Sequence, residues 1–188
     1  MKRVLVIASF SVFAFLGCAS KTNAVTEAKP AAPVETAATR AAQVAEAPYF
    51  VDVEFSKGSS ELDEQALATI AALLNRARAA GPLQDVKVLS WADEEYPSAS
   101  RKKLSATERK LANSRTRAID KHIKSLKYEV KVDGHNMAER PNAFSRWFNT
   151  PDARFKRSLV AAGLPTTADE PMVTGRASHA VVLVTLKP

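Results

Sequence analysis

The sequence predicts an α/β (α+β sandwich) chain: one mixed sheet covered by helices on one face, in the order βαβαβ–(helical insertion)–β. Three observations predict it. YFVDVEF (Tyr49 to Phe55) alternates, with Val51, Val53 and Phe55 on one side, as a half-buried strand does. Two later stretches, around Leu73 and around Ile119, repeat apolar residues at helical spacing instead. The closing run AVVLVTL (Ala180 to Leu186) is nearly all apolar, the pattern of a central, well-covered strand.

Between the first strand and the last, each element has its own signal. Ser60 with Asp63 three residues on predicts a capping box at the start of the first long helix. Its stripe is Leu62, Ala66, Ile70, Leu73, Leu74 and Ala77, and Gly81-Pro82 stops it. Val86 to Leu89 reads as the second strand. A polar loop follows, then a second amphipathic helix through Arg115 to Leu126. Tyr128, Val130 and Val132 alternate as a third strand that Gly134 ends.

An insertion over 141–174 precedes the last strand. Phe144, Trp147 and Phe148 share helical spacing and are expected to be largely buried, and ARFKRSLVAAG reads as a short helix ending at Gly163. Arg146, Arg154, Lys156 and Arg157 crowd the same region. It reads either as a helical cap on the domain's edge or as a partner or lipid-surface patch with exposed aromatics.

The first seventeen residues have the layout of a secretory signal: Lys2 and Arg3, an apolar run too short to span a bilayer, then Gly17 before Cys18. Cys18 is the chain's one cysteine, so no intrachain disulfide forms. FLGC is similar to a bacterial lipobox, which implies cleavage before Cys18 and lipid on its sulfur; an ordinary secretory signal with an incidental cysteine is the alternative. Ala19 after the cysteine implies the outer membrane, with the protein facing the periplasm. Residues 18–48, rich in alanine with Pro30, Pro33 and Pro48, are expected to be a tether without a core. Residues 49–188 make one domain. The formal charge of +7 loses two positive charges with Lys2 and Arg3. The remainder suits an anionic wall polymer or membrane face. No nucleic-acid-binding motif is present.

Arg115 is the residue that asks for an explanation. It stands one turn from Leu111 and one turn from Ile119, near the middle of its helix's apolar arc. An arginine there reaches a carboxylate, reaches a ligand, or snorkels out along its stem. Other chemistry is thin. Ser100-x-x-Lys103 matches an acyl-enzyme pattern but lies in a polar loop without its Lys-Thr-Gly partner. His122, His135 and His179 lie apart without ligand spacing, and His122 reads as a core histidine. No enzyme, metal or cofactor is expected.

FVDVEFSKGSSELDEQALATIAALL resembles the opening of the OmpA-like, peptidoglycan-associated domains, and LANSRTRAIDKHI resembles their Leu-Ser-x-x-Arg-Ala helix, with Arg115 on the motif arginine. VLSWAD stands where that family has Gly-His-Thr-Asp, which puts Asp93 on the motif aspartate. GHNMAERPN and GRASHAVVLV resemble the family's Gly-x-Gly-Glu turn and closing strand. Several positions depart: Ser90-Trp91-Ala92 replaces Gly-His-Thr, Glu108 replaces an asparagine, and His179-Ala180 replaces paired arginines. The resemblance implies that Asp93 and Arg115 hold the zwitterionic end of diaminopimelate in a peptidoglycan stem peptide, tying outer membrane to wall. The alternatives are that the two residues merely pair with each other, and that the domain is a protein-interaction module of an envelope complex with a lapsed wall site.

Overall fold

In the computed structural model, which describes residues 36–98, 100–143, 147–162, 164 and 176–188, four strands form one sheet. They are β1 (Tyr49–Glu54), β2 (Leu83–Ser90), β3 (Lys131–Asn136) and β4 (His179–Leu186), in the spatial order β1-β4-β2-β3. β4 runs antiparallel to both β1 and β2, while β2 and β3 are parallel. The sheet is therefore mixed and the fold is α+β, as the sequence predicts. β4 is buried from Ala180 to Val184, which is why its sequence does not alternate. Its antiparallel pairing with both neighbours brings the ends of β1 and β2 and the start of β4 to the same end of the sheet.

The helices are α1 (Ala37–Val44), α2 (Glu64–Ala80), α3 (Ala106–Ser125) and α4 (Pro151–Ala161). α2 and α3 cover one face, where Ile70, Leu73, Leu74, Ile119 and Ile123 meet the valines of β1, β2 and β4. Asp63 caps α2, its carboxylate accepting from the Ala66 N–H at 2.7 Å. The expected capping box at Ser60 does not form, because Asp63 stands immediately before the first helical turn with the stronger acceptor. At the other end Gly81 is extended; Pro82 disfavours helical geometry in the residue before it.

The other face is not open, so helices on one face alone describe only α2 and α3. Ala38, Ala41, Ala42 and Leu159, from α1 and α4, pack with Leu89, Val181 and Leu183. The expected tether therefore cannot extend to Pro48. Lack of large apolar residues argued against a core there, but alanine is the residue least opposed to helix. Three alanines at i, i+3 and i+4 make a flat stripe that seats the helix against the sheet. Thr36 caps α1, its hydroxyl accepting from the Thr39 N–H at 3.1 Å.

β3 also departs from expectation: it starts at Lys131 and passes through Gly134 instead of ending there. The glycine marks a close approach. A Cβ on Gly134 would lie 2.5 Å from Thr116 Cγ2, and the Thr116 hydroxyl is held by Ser90 Oγ at 3.0 Å and the Ala112 carbonyl at 3.2 Å. Gly134→Ala should cost about 1–3 kcal/mol through overpacking. An unchanged urea midpoint would show instead that Thr116 turns aside freely.

In the insertion, Thr150 caps α4 and Pro151 opens it. Its inward residues are Ala153, Lys156 and Leu159. Trp147 is 85% and Phe148 63% exposed, so the expectation that these aromatics are buried is wrong. Asn149, at φ 48°, turns the chain before α4 begins. Phe144, Arg146 and Gly163 lie outside the described residues, as do residues 1–35.

Candidate functional site

The end of the sheet where β1 and β2 finish and β4 starts is held together by Arg115. It rises from the middle of α3 and is fully buried. Its Nε donates to the Ser59 carbonyl at 2.9 Å, Nη1 to the Trp91 carbonyl at 2.9 Å, and Nη2 to the Ser56 carbonyl at 3.3 Å and to Asp93 Oδ1 at 2.6 Å. The guanidinium lies over the Phe55 ring, 5.0 Å from its centroid. The apolar arc of α3 thus contains an arginine because the loops after β1 and β2 turn carbonyls inward to meet it.

Asp93 is equally committed. Oδ1 also accepts from the Ser178 hydroxyl at 2.8 Å, Oδ2 accepts from the Gly58 N–H, and its own N–H donates to Glu108 Oε2 at 2.9 Å. Burial pushes the Asp93 carboxyl up, but hydrogen bonds from Arg115, Ser178 and Gly58 more than reverse this and hold it below its ordinary value of 3.8. A group with a depressed folded value contributes stability that is present above pH 3.8 and lost as pH falls through the lower folded value. Urea midpoints measured from pH 5 down to pH 2 should therefore fall less steeply in Asp93→Asn than in the wild type. Parallel slopes would contradict this. The flattening is partial, because Asp52 and Asp152 are shifted in the same direction.

The structure thus brings Asp93 and Arg115 together, and also places around them partners that the sequence reading did not assign to the site. Ser178, the Gly58 amide and the carbonyls of Ser56, Ser59 and Trp91 carry no signal of their own. Glu108 does: Ser105-x-x-Glu108 has capping-box spacing. Ser105 caps α3 by accepting from the Glu108 N–H at 3.2 Å, while the Glu108 side chain turns to Asp93 instead of back to the cap. Cys18 lies outside the described residues.

Two further polar clusters sit elsewhere. Asp52 bonds Arg176 and, at 3.1 Å, His179 Nδ1. His135 Nδ1 meets Asp152 Oδ1 at 2.8 Å, and the buried Lys156 ammonium donates to the Asn136 and Glu139 carbonyls at 2.7 and 3.2 Å. His122 Nε2 pairs with the Leu67 carbonyl at 3.0 Å, as a satisfied histidine should. Ser100 Oγ pairs with Ser98 Oγ at 2.9 Å, and Lys103 bridges to Glu139 across a short antiparallel contact. Among the described residues no cluster of His, Cys, Asp or Glu has the makings of a metal site, and no helix is long and apolar enough to cross a membrane.

No family model matches the chain, and no curated protein matches it. Among solved structures it is similar to the OmpA-like domain of FopA1 from Francisella tularensis, at 11% identity over 74% of this chain and 75% of that one, with a TM-score of 0.39. At that score the likeness stands by itself, and the α+β fold rests on the chain's own sheet order and helices.

Proposed function

We propose that the chain is an envelope protein, anchored to the outer membrane through lipid on Cys18 and facing the periplasm. Its OmpA-like domain binds another envelope component through surfaces away from Asp93 and Arg115, and it is not an enzyme. One observation carries this choice: Arg115 has no exposed side-chain surface, and its Nε, Nη1 and Nη2 are all engaged within the fold. A fork that recognises a ligand carboxylate needs two outward N–H groups. The pair accordingly acts as a lock between loops.

The second reading is non-covalent binding of peptidoglycan through a diaminopimelate-containing stem peptide. It is favoured by the 12% of the Asp93 side chain that remains exposed, which lets a ligand ammonium reach the carboxylate from solvent. Sedimentation with purified sacculi separates the two. The interaction-module reading expects the protein in the supernatant. Retention by sacculi that is lost in folded Asp93→Asn would establish the wall-binding reading. For the anchor, Cys18→Ser should move the protein from the membrane to the soluble periplasmic fraction; unchanged membrane retention would overturn that part.

A further inference from the structure

A cavity of about 240 Å³ lies between α4 and the segments around Tyr96 and Arg140, and a groove of about 660 Å³ adjoins it, sharing Lys102, Arg140, Pro141 and Lys156. Four cations and no carboxylate line the cavity. Two of the four are occupied: Lys156 by backbone carbonyls and, at 3.4 Å, by Asp152, and Arg157 by Asn149. The Lys102 ammonium and the terminal nitrogens of Arg140 have no partner among the described residues.

The Arg140 guanidinium and the Lys102 backbone are both held in place. Arg140 Nε donates to the Pro97 carbonyl at 2.5 Å, and the guanidinium lies over the Tyr96 ring, 4.9 Å from its centroid. That fixes the plane and leaves the outer edge of the fork to a ligand. Lys102 sits at φ +57°, a conformation that costs a side-chain-bearing residue energy. It is kept there by its N–H on the Ser98 carbonyl at 3.0 Å and its own carbonyl under the Arg140 N–H at 2.8 Å. The backbone bond between the two residues starts both side chains from adjoining points on the cavity's rim. The rest of the lining includes apolar surface from Pro141 and from Val160, which is 43% exposed, with the Tyr96 ring buried behind Arg140. The Tyr96 hydroxyl is buried without a hydrogen-bond partner.

We propose that this cavity binds a carboxylate carried on a small branched or aromatic apolar group. Arg140 and Lys102 hold the carboxylate, and Val160 and Pro141 flank the apolar part. A monoanion fits better than a phosphate dianion, because the wall formed by Lys156, Arg157 and Val160 is the C-terminal half of α4 and so the negative end of its dipole. The cavity is smaller than most whole-ligand sites, so it suits either a free short organic acid or the C-terminus of a peptide ending in an apolar residue. In the second case the peptide would continue along the groove past Lys103. The proposal depends neither on the lipid anchor nor on the Asp93–Arg115 pair.

The test is an amide-resonance titration of the full chain with four probes: 3-methylbutanoate, 3-methylbutanamide, and the peptide Gly-Gly-Val with a free or an amidated C-terminus. Both free acids should give saturable shifts at Lys102, Arg140 and Val160, and neither amide should. If the peptide is the natural source, it binds more tightly than the isolated acid, and Lys103→Ala weakens the peptide alone. Equal affinities assign the site to the small acid. Lys102→Gln, which keeps the Cβ and removes the charge, should weaken the acids by about one to two orders of magnitude. Val160→Asp should abolish binding in a protein that still folds, with a melting temperature lowered only slightly by an acid in the last turn of α4. Amides that bind as well as acids, no saturable shift with any probe, or an unaltered affinity in Lys102→Gln would each overturn the proposal.

Discussion

Arg115→Ala is expected to destabilise the protein by about 3–5 kcal/mol, the range for removing one partner of a buried ion pair. Urea unfolding followed by circular dichroism reads it. Native domains have only about 5–15 kcal/mol to lose, so this variant stands near the limit of folding. The loss has two parts. The carbonyls of Ser56, Ser59 and Trp91 lose their donor inside the fold, and Asp93 loses its countercharge. Asp93→Asn keeps a donor for the three carbonyls but leaves the Arg115 charge without its carboxylate and disturbs the bonds from Ser178 and Gly58, so it should cost less by what the carbonyl bonds contribute. Arg115→Lys should recover little, because one ammonium cannot serve carbonyls spread around a planar fork. Equal costs for Asp93→Asn and Arg115→Ala would mean that the carbonyl bonds contribute nothing.

Leu159→Ala should cost about 2–5 kcal/mol, the usual range for emptying a buried leucine site. Leu159 is fully buried and packs against the face of the sheet that bears Leu89, Val181 and Leu183. By contrast Trp147→Ala should change stability by less than about 0.5 kcal/mol, as exposed positions usually do. The contrast, read from thermal and urea unfolding of both variants, tests whether the insertion contributes its helix or its aromatics to the core. A large cost at Trp147 with none at Leu159 would reverse the assignment.

The sheet was readable because β1 alternates and β4 does not, and because α2 and α3 each carry a clear apolar stripe. What escaped the sequence was the second face. α1 announces itself only through alanines, which are as common in a spacer as in a helix lying close on a sheet. The aromatic spacing at Trp147 and Phe148 points to burial, but both are exposed, and a shared helical face does not say whether that face meets the domain or solvent. Gly134 reads equally as a strand end or as a close approach until α3 is in place. At the site, the pairing of Asp93 with Arg115 could be anticipated from their positions. The engagement of all three Arg115 nitrogens could not, because three of its partners are backbone carbonyls, which every residue supplies.

The side-chain Nε–H of Arg115 reports most directly on whether the pair is a lock or a ligand fork. It is buried and donates to the Ser59 carbonyl. In the nitrogen-15-labelled protein its resonance should exchange slowly with solvent and stay unmoved as a diaminopimelate-containing stem peptide is added. A saturable shift of that resonance, with exchange slowed further by the peptide, would contradict the lock and return Asp93 and Arg115 to the wall.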